Sequence, residues 1–223
     1  MVQDDKKRSQ KTQLFTLFSQ MTESFANPHR LELLDLLVQA PRTVEELAQE
    51  AGMSIANTSQ HLQRLKRSRL VVDERRGTYI HYRLASPDVA HLWIDLRALA
   101  EKHLAEVEKA LDAYRDRRNQ FEKVTSEELR ARLKKGEVTL LDVRPAQEYQ
   151  SGHLPGAISI PLDELPNRMN KLPKKQQIVT YCRGPYCIYA DQALELLIER
   201  GFNAARLEEG VAEWQEAGYT IEV

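Results

Sequence analysis

The sequence predicts two domains: a mainly helical N-terminal domain over residues 1–119 and a C-terminal α/β domain with a mostly parallel sheet over residues 123–223. Two observations lead to this prediction. The first part combines segments whose apolar residues recur at helical spacing with one β-hairpin pattern. The second part alternates short apolar strands with helical segments, which is typical of α/β domains. A chain of 223 residues has room for two small domains of this kind.

Capping signals place the first helices. Residues 12–26 are amphipathic, and Asn27 is followed by a proline, which suits the first position of a second helix. The segment Thr43–Glu46 is a Thr-x-x-Glu capping box at the start of a third helix. Ser54 is the expected cap of a fourth helix over residues 55–67.

After these helices the spacing of apolar residues changes from a helical pattern to a strand pattern. Residues 71–72 lead into a basic turn at Arg75-Arg76-Gly77, and residues 79–84 read as a strand, so a β-hairpin is predicted. From residue 87 to about residue 120 there is neither Gly nor Pro. We expect one long helix there, roughly 45–50 Å in length. A domain this small could not cover such a helix alone, so a second subunit is the natural cover.

Charge and hydropathy narrow the function classes. Residues 54–83 hold seven Lys and Arg against two acidic residues, in a chain whose formal net charge is −1. A local basic stripe on a nearly neutral chain predicts a surface that binds a polyanion. No segment has the length of a membrane span, and the polar start has no apolar leader, so a cytoplasmic location is expected.

The order of elements in the first half is that of a winged helix-turn-helix. The segments "NPHRLELLDLL", "TVEELAQEAGMSIANTSQHLQRLKRSRLV" and "RRGTYIHYRL" resemble the ArsR/SmtB family of bacterial repressors over roughly residues 15–110. The resemblance implies a homodimer that binds an inverted repeat in double-stranded DNA. It also implies that helix 55–67 enters the major groove and that the wing touches the flanking backbone.

The side chains on this helix and wing suit DNA recognition. Amides pair with adenine and Arg pairs with guanine, whereas Lys and Arg also neutralise phosphates. The candidate DNA-binding residues are Asn57, Thr58, Gln60, His61, Arg64, Lys66, Arg67, Arg75 and Arg76.

Both cysteines of the chain, Cys182 and Cys187, lie in the second half, between an apolar strand at residues 177–181 and a helix at residues 189–200. Two close thiols in a reducing compartment are more often reactive or metal-binding than a structural disulfide. Two further strands are predicted over residues 138–143 and 157–160.

The segments "LLDVRPAQEYQSGHLPGAISIP", "IVTYCRGPYCIYADQALELLIERGF" and "ARLEEGVAEWQEAG" resemble a single rhodanese domain over the whole of residues 123–223. The resemblance implies that Cys182 is a nucleophile that takes a sulfane sulfur and carries it as a persulfide. It therefore implies sulfurtransferase activity of the rhodanese type, with a sulfane-sulfur donor and a thiol acceptor as partners.

Elementary chemistry supports a reactive thiol in this loop. A loop that joins a strand to a helix can point its backbone N–H groups at the Cys182 sulfur, and the helix N-terminus adds a partial positive charge. Arg183 adds a full charge, and all three favour the reactive thiolate. Cys182 and Arg183 are therefore the candidate catalytic residues.

Two departures from related loops matter. Phosphatases with a similar loop need Arg at the sixth position after the cysteine, where this chain has Ile188, so phosphoryl chemistry is not expected. Rhodaneses often carry a basic residue at the last loop position, where this chain has Cys187. Thiosulfate is therefore a doubtful donor. Cys187 is either a thiol that resolves the Cys182 persulfide or a small residue that fills space at the helix start.

Other residues of the second half are assigned structural roles. Ion pairs among Asp142, Arg144 and Glu148 are expected to hold the loop after the first strand, His153 belongs to a turn, and Trp214 packs the last helix.

Three functions remain open. The first is a sulfur-responsive DNA-binding regulator, and the second is a sulfurtransferase whose helical half mainly dimerises. The third is a metal-responsive repressor, for which Asp88, His91, Glu101 and His103 are suitable residue types at a spacing that fits poorly. We expect no metal site and no cofactor.

Overall fold

The computed structural model describes residues 2–114 and 121–223, with side chains from residue 6 onward. The chain divides into two compact units, Met1–Trp93 and Ile94–Val223. Residues 115–120 lie outside the described ranges, so the domain bounds 1–119 and 123–223 stay predictions.

The first unit follows the order predicted from the sequence, with a three-stranded antiparallel sheet in the order β1-β3-β2 among its described residues. Its elements are α1 (Val2–Thr22), α2 (Pro28–Gln39), β1 (Arg42–Thr43), α3 (Val44–Glu50), α4 (Ile55–Arg67), β2 (Val71–Arg76) and β3 (Tyr79–Leu84). A core rich in leucine joins α2, α3 and α4 to the hairpin. This is a winged helix-turn-helix.

The predicted caps of this unit are confirmed. The Asn27 side chain accepts a hydrogen bond from the backbone N–H of Arg30 at 3.2 Å. Thr43 and Glu46 form the reciprocal capping box, with bonds of 2.8 and 3.3 Å. Ser54 caps α4. These local bonds satisfy N–H groups that the first turn of a helix leaves without partners.

The hairpin differs from its prediction in one detail. Arg75 and Arg76 are the last residues of β2, and Arg76 pairs with Tyr79, so the turn itself is Gly77-Thr78. Gly77 has a φ of +63°, a conformation that glycine adopts without a steric penalty. The two-residue strand β1 was not predicted, because so short a segment carries no periodic signal.

The prediction of one helix from residue 87 to about residue 120 is wrong. Helix α5 spans Pro87–His103 and α6 spans Ala105–Tyr114, with Leu104 outside both. No Gly or Pro marks this interruption, so the sequence held no breaker signal there. Helix α5 is about 25 Å long at 1.5 Å per residue, about half the predicted length.

Apolar side chains on α1 and α5 are exposed. The α1 residues Leu14, Phe15, Leu17, Phe18 and Met21 are 43–62% exposed, and Leu92 and Leu99 on α5 are similarly exposed. A contiguous apolar helix face on a charged chain is typical of a protein interface.

The second unit is an α/β domain. Its elements after α6 are β4 (Lys123–Val124), α7 (Ser126–Lys134), β5 (Val138–Asp142), α8 (Ala146–Ser151), β6 (Ile158–Ser159), α9 (Leu165–Arg168), β7 (Gln177–Tyr181), α10 (Tyr189–Glu199), β8 (Ala204–Leu207) and α11 (Val211–Glu216). Within the described ranges the sheet has five parallel strands in the order β4-β8-β7-β5-β6.

Each face of this sheet has its own apolar core. Leu140, Val179 and Trp214 belong to one cluster, and Leu141 and Ile178 belong to the other. Neighbouring residues of a strand thus alternate between the two cores, as the period of a strand requires. Trp214 is buried, as predicted.

A buried ion pair fixes the carboxyl end of β5. The Arg144 guanidinium donates to the Asp142 carboxylate at 2.6–3.1 Å, and both side chains are inaccessible to solvent. The Tyr181 hydroxyl donates to the same carboxylate at 2.5 Å, and Arg144 also donates to the Gly152 carbonyl. The predicted Asp142–Arg144 ion pair is confirmed, and it ties β5 to β7.

We expect Asp142→Ala to lower the free energy of unfolding of the second unit by about 3–5 kcal/mol, because it leaves the Arg144 charge buried without its partner. The control is Glu164→Ala, which removes the exposed pair with Arg168 and should change stability by less than about 1 kcal/mol. Urea denaturation of both variants measures the difference. Equal stabilities of the two variants would contradict this account of the ion pair.

Candidate functional sites

The two cysteines lie at the carboxyl edge of the parallel sheet. Strand β7 ends at Tyr181, Cys182 follows directly, and α10 begins at Tyr189. We call residues 182–187 the cysteine loop. Because β7 is the middle strand of the sheet, the loop stands at the centre of this edge. Crevices at this edge are the usual ligand sites of open α/β sheets.

Two glycines allow the cysteine loop to fold closely. Gly184 has a φ of +106°, and a Cβ at this position would lie 2.7 Å from a carboxylate oxygen of Glu213. A Cβ on Gly210 would lie 2.7 Å from the backbone of Arg183 and Gly184. The Gly-x-x-x-Trp pattern at residues 210–214 therefore has a physical cause: its glycine lies against the backbone of the loop.

The two thiols lie close together, and each affects the pKa of the other. Cys182 is 1% exposed and its thiol donates to the Cys187 carbonyl at 3.6 Å, whereas Cys187 is half-buried. The interaction with the Cys182 thiol lowers the pKa of Cys187 to about 7, and backbone N–H groups and the Arg183 charge act in the same direction. Burial, followed by the interaction with Cys187, raises the pKa of Cys182.

This result differs from the expectation that the loop favours a thiolate on Cys182 itself. Of the two thiols, Cys187 is the one whose pKa is lowered, mainly by the interaction with its neighbour. Desolvation of the buried Cys182 sulfur raises the pKa of Cys182 and outweighs the opposing effect of the Arg206 charge.

The positive charge of Arg183 is paired within the site. Its guanidinium makes a bidentate ion pair with Glu148 at 2.6–3.1 Å and lies 5.1 Å from the centroid of the Tyr189 ring. Glu148 is fully buried, and its charge also raises the pKa of Arg144, so it contributes to the charged group expected around Asp142 and Arg144. Most of the Arg183 charge is therefore compensated within the site.

Sequence reasoning missed two charged residues of this site. Arg206 on β8 is 2% exposed, donates to Asp191 at 2.6 Å and reaches the Gly184 carbonyl at 3.5 Å. Glu213 accepts from the backbone N–H of Gly210 at 2.9 Å. Strand β8 was not predicted, so nothing in the sequence indicated that Arg206 points toward the cysteine loop. His153 stacks on Tyr149 near the end of the chain, outside this site.

Helix α4 and the wing carry the candidate DNA-binding residues. Gln60, Arg64, Lys66, Arg67, Arg75 and Arg76 are exposed, and Asn57 is half-buried. Lys66 pairs with Asp73 at 2.5 Å, and Arg76 pairs with Glu74 at 3.1 Å. Such exposed pairs are weak, so a phosphate can displace the acidic partner.

Two of the candidates point into the domain. Thr58 is fully buried and donates its hydroxyl to the Ser54 carbonyl at 3.0 Å. His61 is 8% exposed, and its burial and the nearby charges of Arg30, His29 and Arg64 lower its pKa. Their burial removes both side chains from the set available to DNA. Both were candidates because of their residue type, which does not record burial.

The described residues contain no group of three or more His, Cys, Asp or Glu side chains placed to hold a metal ion. None of the helices in the described part of the chain has the length and apolar character that a membrane span requires.

Comparison with known proteins identifies both halves. The family model for the rhodanese-like domain matches residues 125–217, and the model for a helix-turn-helix domain matches residues 25–74. The HTH-type transcriptional regulator Rv0324 of Mycobacterium tuberculosis is 41% identical over 212 residues, which cover 95% of this chain and 93% of that protein. A sulfurtransferase of Allochromatium vinosum is 34% identical over 100 residues, which cover 44% of this chain and 92% of that protein.

Solved structures resemble each half separately. The homodimeric winged helix-turn-helix DNA-binding domain of Mb0332 from Mycobacterium bovis is 39% identical, with a TM-score of 0.41, and the match covers 42% of this chain and 87% of that one. A rhodanese-related protein from Thermoplasma volcanium is 26% identical, with a TM-score of 0.42. The match covers 46% of this chain and 98% of that one.

The similarity to Rv0324 runs through both matched domains rather than through one of them. The chain belongs to the family of helix-turn-helix transcriptional regulators, of the ArsR/SmtB type, that carry a C-terminal rhodanese-like domain.

Proposed function

We propose that this regulator responds to reactive sulfur, which its rhodanese-like domain binds as a persulfide on Cys182. The observation that carries the proposal is the position of both thiols in one loop at the centre of the carboxyl edge of the sheet, where the Cys182 thiol donates to the Cys187 carbonyl. The helix-turn-helix domain contains no cysteine, so a sulfur signal has to begin at this pair.

The DNA half of the proposal is a homodimer on an inverted-repeat operator, in the cytoplasm. The exposed apolar faces of α1 and α5 support a second copy as their cover. Gln60 and Arg64 on α4 suit base edges, whereas Lys66, Arg67, Arg75 and Arg76 suit phosphates.

The sulfur half begins with a proton transfer from Cys182 to the Cys187 thiolate. The Cys182 thiolate then attacks the outer sulfur of a donor R–S–SH, so that a bond from Cys182 Sγ to that sulfur forms and the S–S bond of the donor breaks. The donor leaves as RS⁻ and takes the proton from Cys187. The products are a Cys182 persulfide and a donor thiol, and the Cys187 thiolate is restored.

Two routes discharge the persulfide. An external thiolate can attack its terminal sulfur, which returns the Cys182 thiolate and completes a sulfurtransferase cycle. Alternatively, the Cys187 thiolate can attack Cys182 Sγ, which forms a Cys182–Cys187 disulfide and releases HS⁻. The second route would distort the start of α10 and gives Cys187 its role as resolving thiol.

The principal test is DNA binding by reduced and polysulfide-treated protein, with mass spectrometry of the cysteine loop. We expect operator affinity to differ by about five- to hundredfold between the two forms, which corresponds to a coupling of about 1–3 kcal/mol. If the reduced and the fully sulfur-loaded protein bind the operator with equal affinity, the protein is a sulfurtransferase whose DNA-binding half does not respond to sulfur. That enzyme is the second candidate function, and it is favoured by the match of the rhodanese-like family model to residues 125–217.

We expect Arg64→Ala to weaken specific DNA binding by about 1–3 kcal/mol, because a base contact from α4 is lost. Arg200→Ala removes the same charge from an exposed position of the second unit and should leave affinity unchanged. Titration of a palindromic duplex at several salt concentrations measures both effects, and affinity should fall steeply with salt. If a variant with Gln60, Arg64, Arg75 and Arg76 all replaced by Ala bound DNA with wild-type affinity, α4 and the wing would be excluded as the DNA-binding surface.

Cys182→Ser should abolish persulfide formation and sulfur transfer to cyanide, because serine supplies no sulfur nucleophile. The folded state should survive, since the substitution is nearly isosteric. Transfer is measured with inorganic polysulfide as donor, and circular dichroism checks the fold. Full transferase activity in this variant would show that Cys182 is not the nucleophile.

Alkylation of the wild-type pair should speed up as the pH rises through about 7, because the pKa of Cys187 is lowered to that value and only the thiolate reacts. In Cys187→Ala the remaining Cys182 should react only at higher pH, because burial raises its pKa. This variant should also form no intramolecular cross-link after polysulfide treatment. A Cys187→Ala protein with an unchanged alkylation profile and DNA response would make Cys187 a packing residue.

A further inference from the structure

The cysteine loop is contacted by side chains from α5 and α6 as well as by the rhodanese-like domain. The part of α5 from Ile94 onward and all of α6 belong to the same compact unit as the loop. Neither helix was expected from the sequence to touch the sulfur site, and the proposed chemistry assigns these helices no part in it.

Arg97 is the central residue of these contacts. It lies on α5 and is 9% exposed, although much of that helix is exposed. Its Nη2 donates to Glu213 Oε1 at 2.5 Å, and its guanidinium lies 5.0 Å from the centroid of the Tyr186 ring. A planar guanidinium can pair with a carboxylate and stack on a ring at once, which a Lys ammonium does not do.

Both partners of Arg97 act directly on the loop. Glu213 uses its other oxygen to accept from the Gly210 N–H, and that oxygen occupies the space where a side chain on Gly184 would begin. Tyr186 is itself a residue of the loop. Arg97 therefore contacts the loop at one residue directly and at another through Glu213.

Tyr186 makes two further contacts with these helices. Its hydroxyl donates to the Glu101 carboxylate on α5, and its carbonyl accepts from the Tyr114 hydroxyl on α6 at 3.0 Å. These bonds fix both ends of a residue that immediately precedes Cys187. The Cys187 N–H in turn donates to the Gly184 carbonyl at 3.3 Å, so the position of Cys187 relative to Cys182 depends on the residues that these helices hold.

We propose that Arg97 is a positioning residue of the sulfur site, which holds Glu213 and Tyr186 so that Cys187 stays in register with Cys182. The kinetic effect expected from this role rests on the proposed function, because it presupposes sulfur transfer. Its geometric consequence, the state of the thiol pair, can be measured whether or not sulfur transfer occurs.

The test compares Arg97→Gln, Arg97→Lys and Glu213→Gln with Arg168→Gln as the control. Arg168 pairs with Glu164 on the surface of the same unit, so its variant removes an arginine and breaks an ion pair away from the loop. For each protein we would measure kcat and KM of sulfur transfer from inorganic polysulfide to cyanide, the pH profile of thiol alkylation, and thermal unfolding.

Arg97→Gln should lower kcat by about ten- to a hundredfold with little change in KM, because misplacement of a reacting group by about 1 Å costs this much. Its alkylation profile should move to higher pH, because Cys187 loses its place beside Cys182. Arg97→Lys should be intermediate, since Lys retains the ion pair but not the stacking on Tyr186. Arg168→Gln should match the wild type in every measurement.

Glu213→Gln separates positioning from simple electrostatics. The loss of a negative charge near the loop would by itself lower the pKa of the thiol pair and favour reaction, whereas the loss of positioning lowers kcat. We expect kcat to fall, and the double variant with Arg97→Gln to be no slower than the slower of its single variants, because both substitutions break the same contact.

Several results would overturn the proposal. They are wild-type alkylation and kinetics in a folded Arg97→Gln protein, additive losses in the double variant, or a Glu213→Gln enzyme as fast as the wild type. If the wild type itself forms no persulfide, the proposed function fails, and the alkylation profiles still decide whether Arg97 positions the thiols.

Discussion

The cysteine loop depends on one steric constraint, the close approach of its backbone to the backbone at Gly210. A single added Cβ at Gly210 would lie 2.7 Å from two backbone atoms of the loop, and one at Gly184 would meet Glu213. Because backbone cannot yield as a flexible side chain can, the first turn of α11 and the loop are placed together. Glu213 then has a fixed position, and Arg97, Tyr186 and both thiols follow from it.

The same compact arrangement also explains why the pKa values of the two thiols shift in opposite directions. The pair lies among buried groups whose charges are mostly compensated, since Arg183 pairs with Glu148 and Arg206 pairs with Asp191. In such surroundings two thiolates would repel each other, so the pKa of one thiol is lowered and that of the other is raised.

Local sequence signals predicted much of the fold. Caps at Asn27, Thr43 and Ser54 act within one helical turn, and each was found where the sequence placed it. Strand β7 was predicted at its observed bounds because four consecutive apolar or β-branched residues precede a loop. The break at Leu104 and the short strands β1, β4 and β8 carry no such local signal, because they depend on partners distant in the chain.

The sequence by itself determined the two domain types, most of their elements and the presence of both thiols in one loop, because these follow from periodicity, caps and residue identity. Only the tertiary structure decided how each side chain is used. It buries Thr58 and His61, directs Arg183 to Glu148 and makes Cys187 rather than Cys182 the more acidic thiol. It also brings Arg97 to a loop some 90 residues away. Burial and long-range contacts arise from packing between distant segments, which no local pattern records.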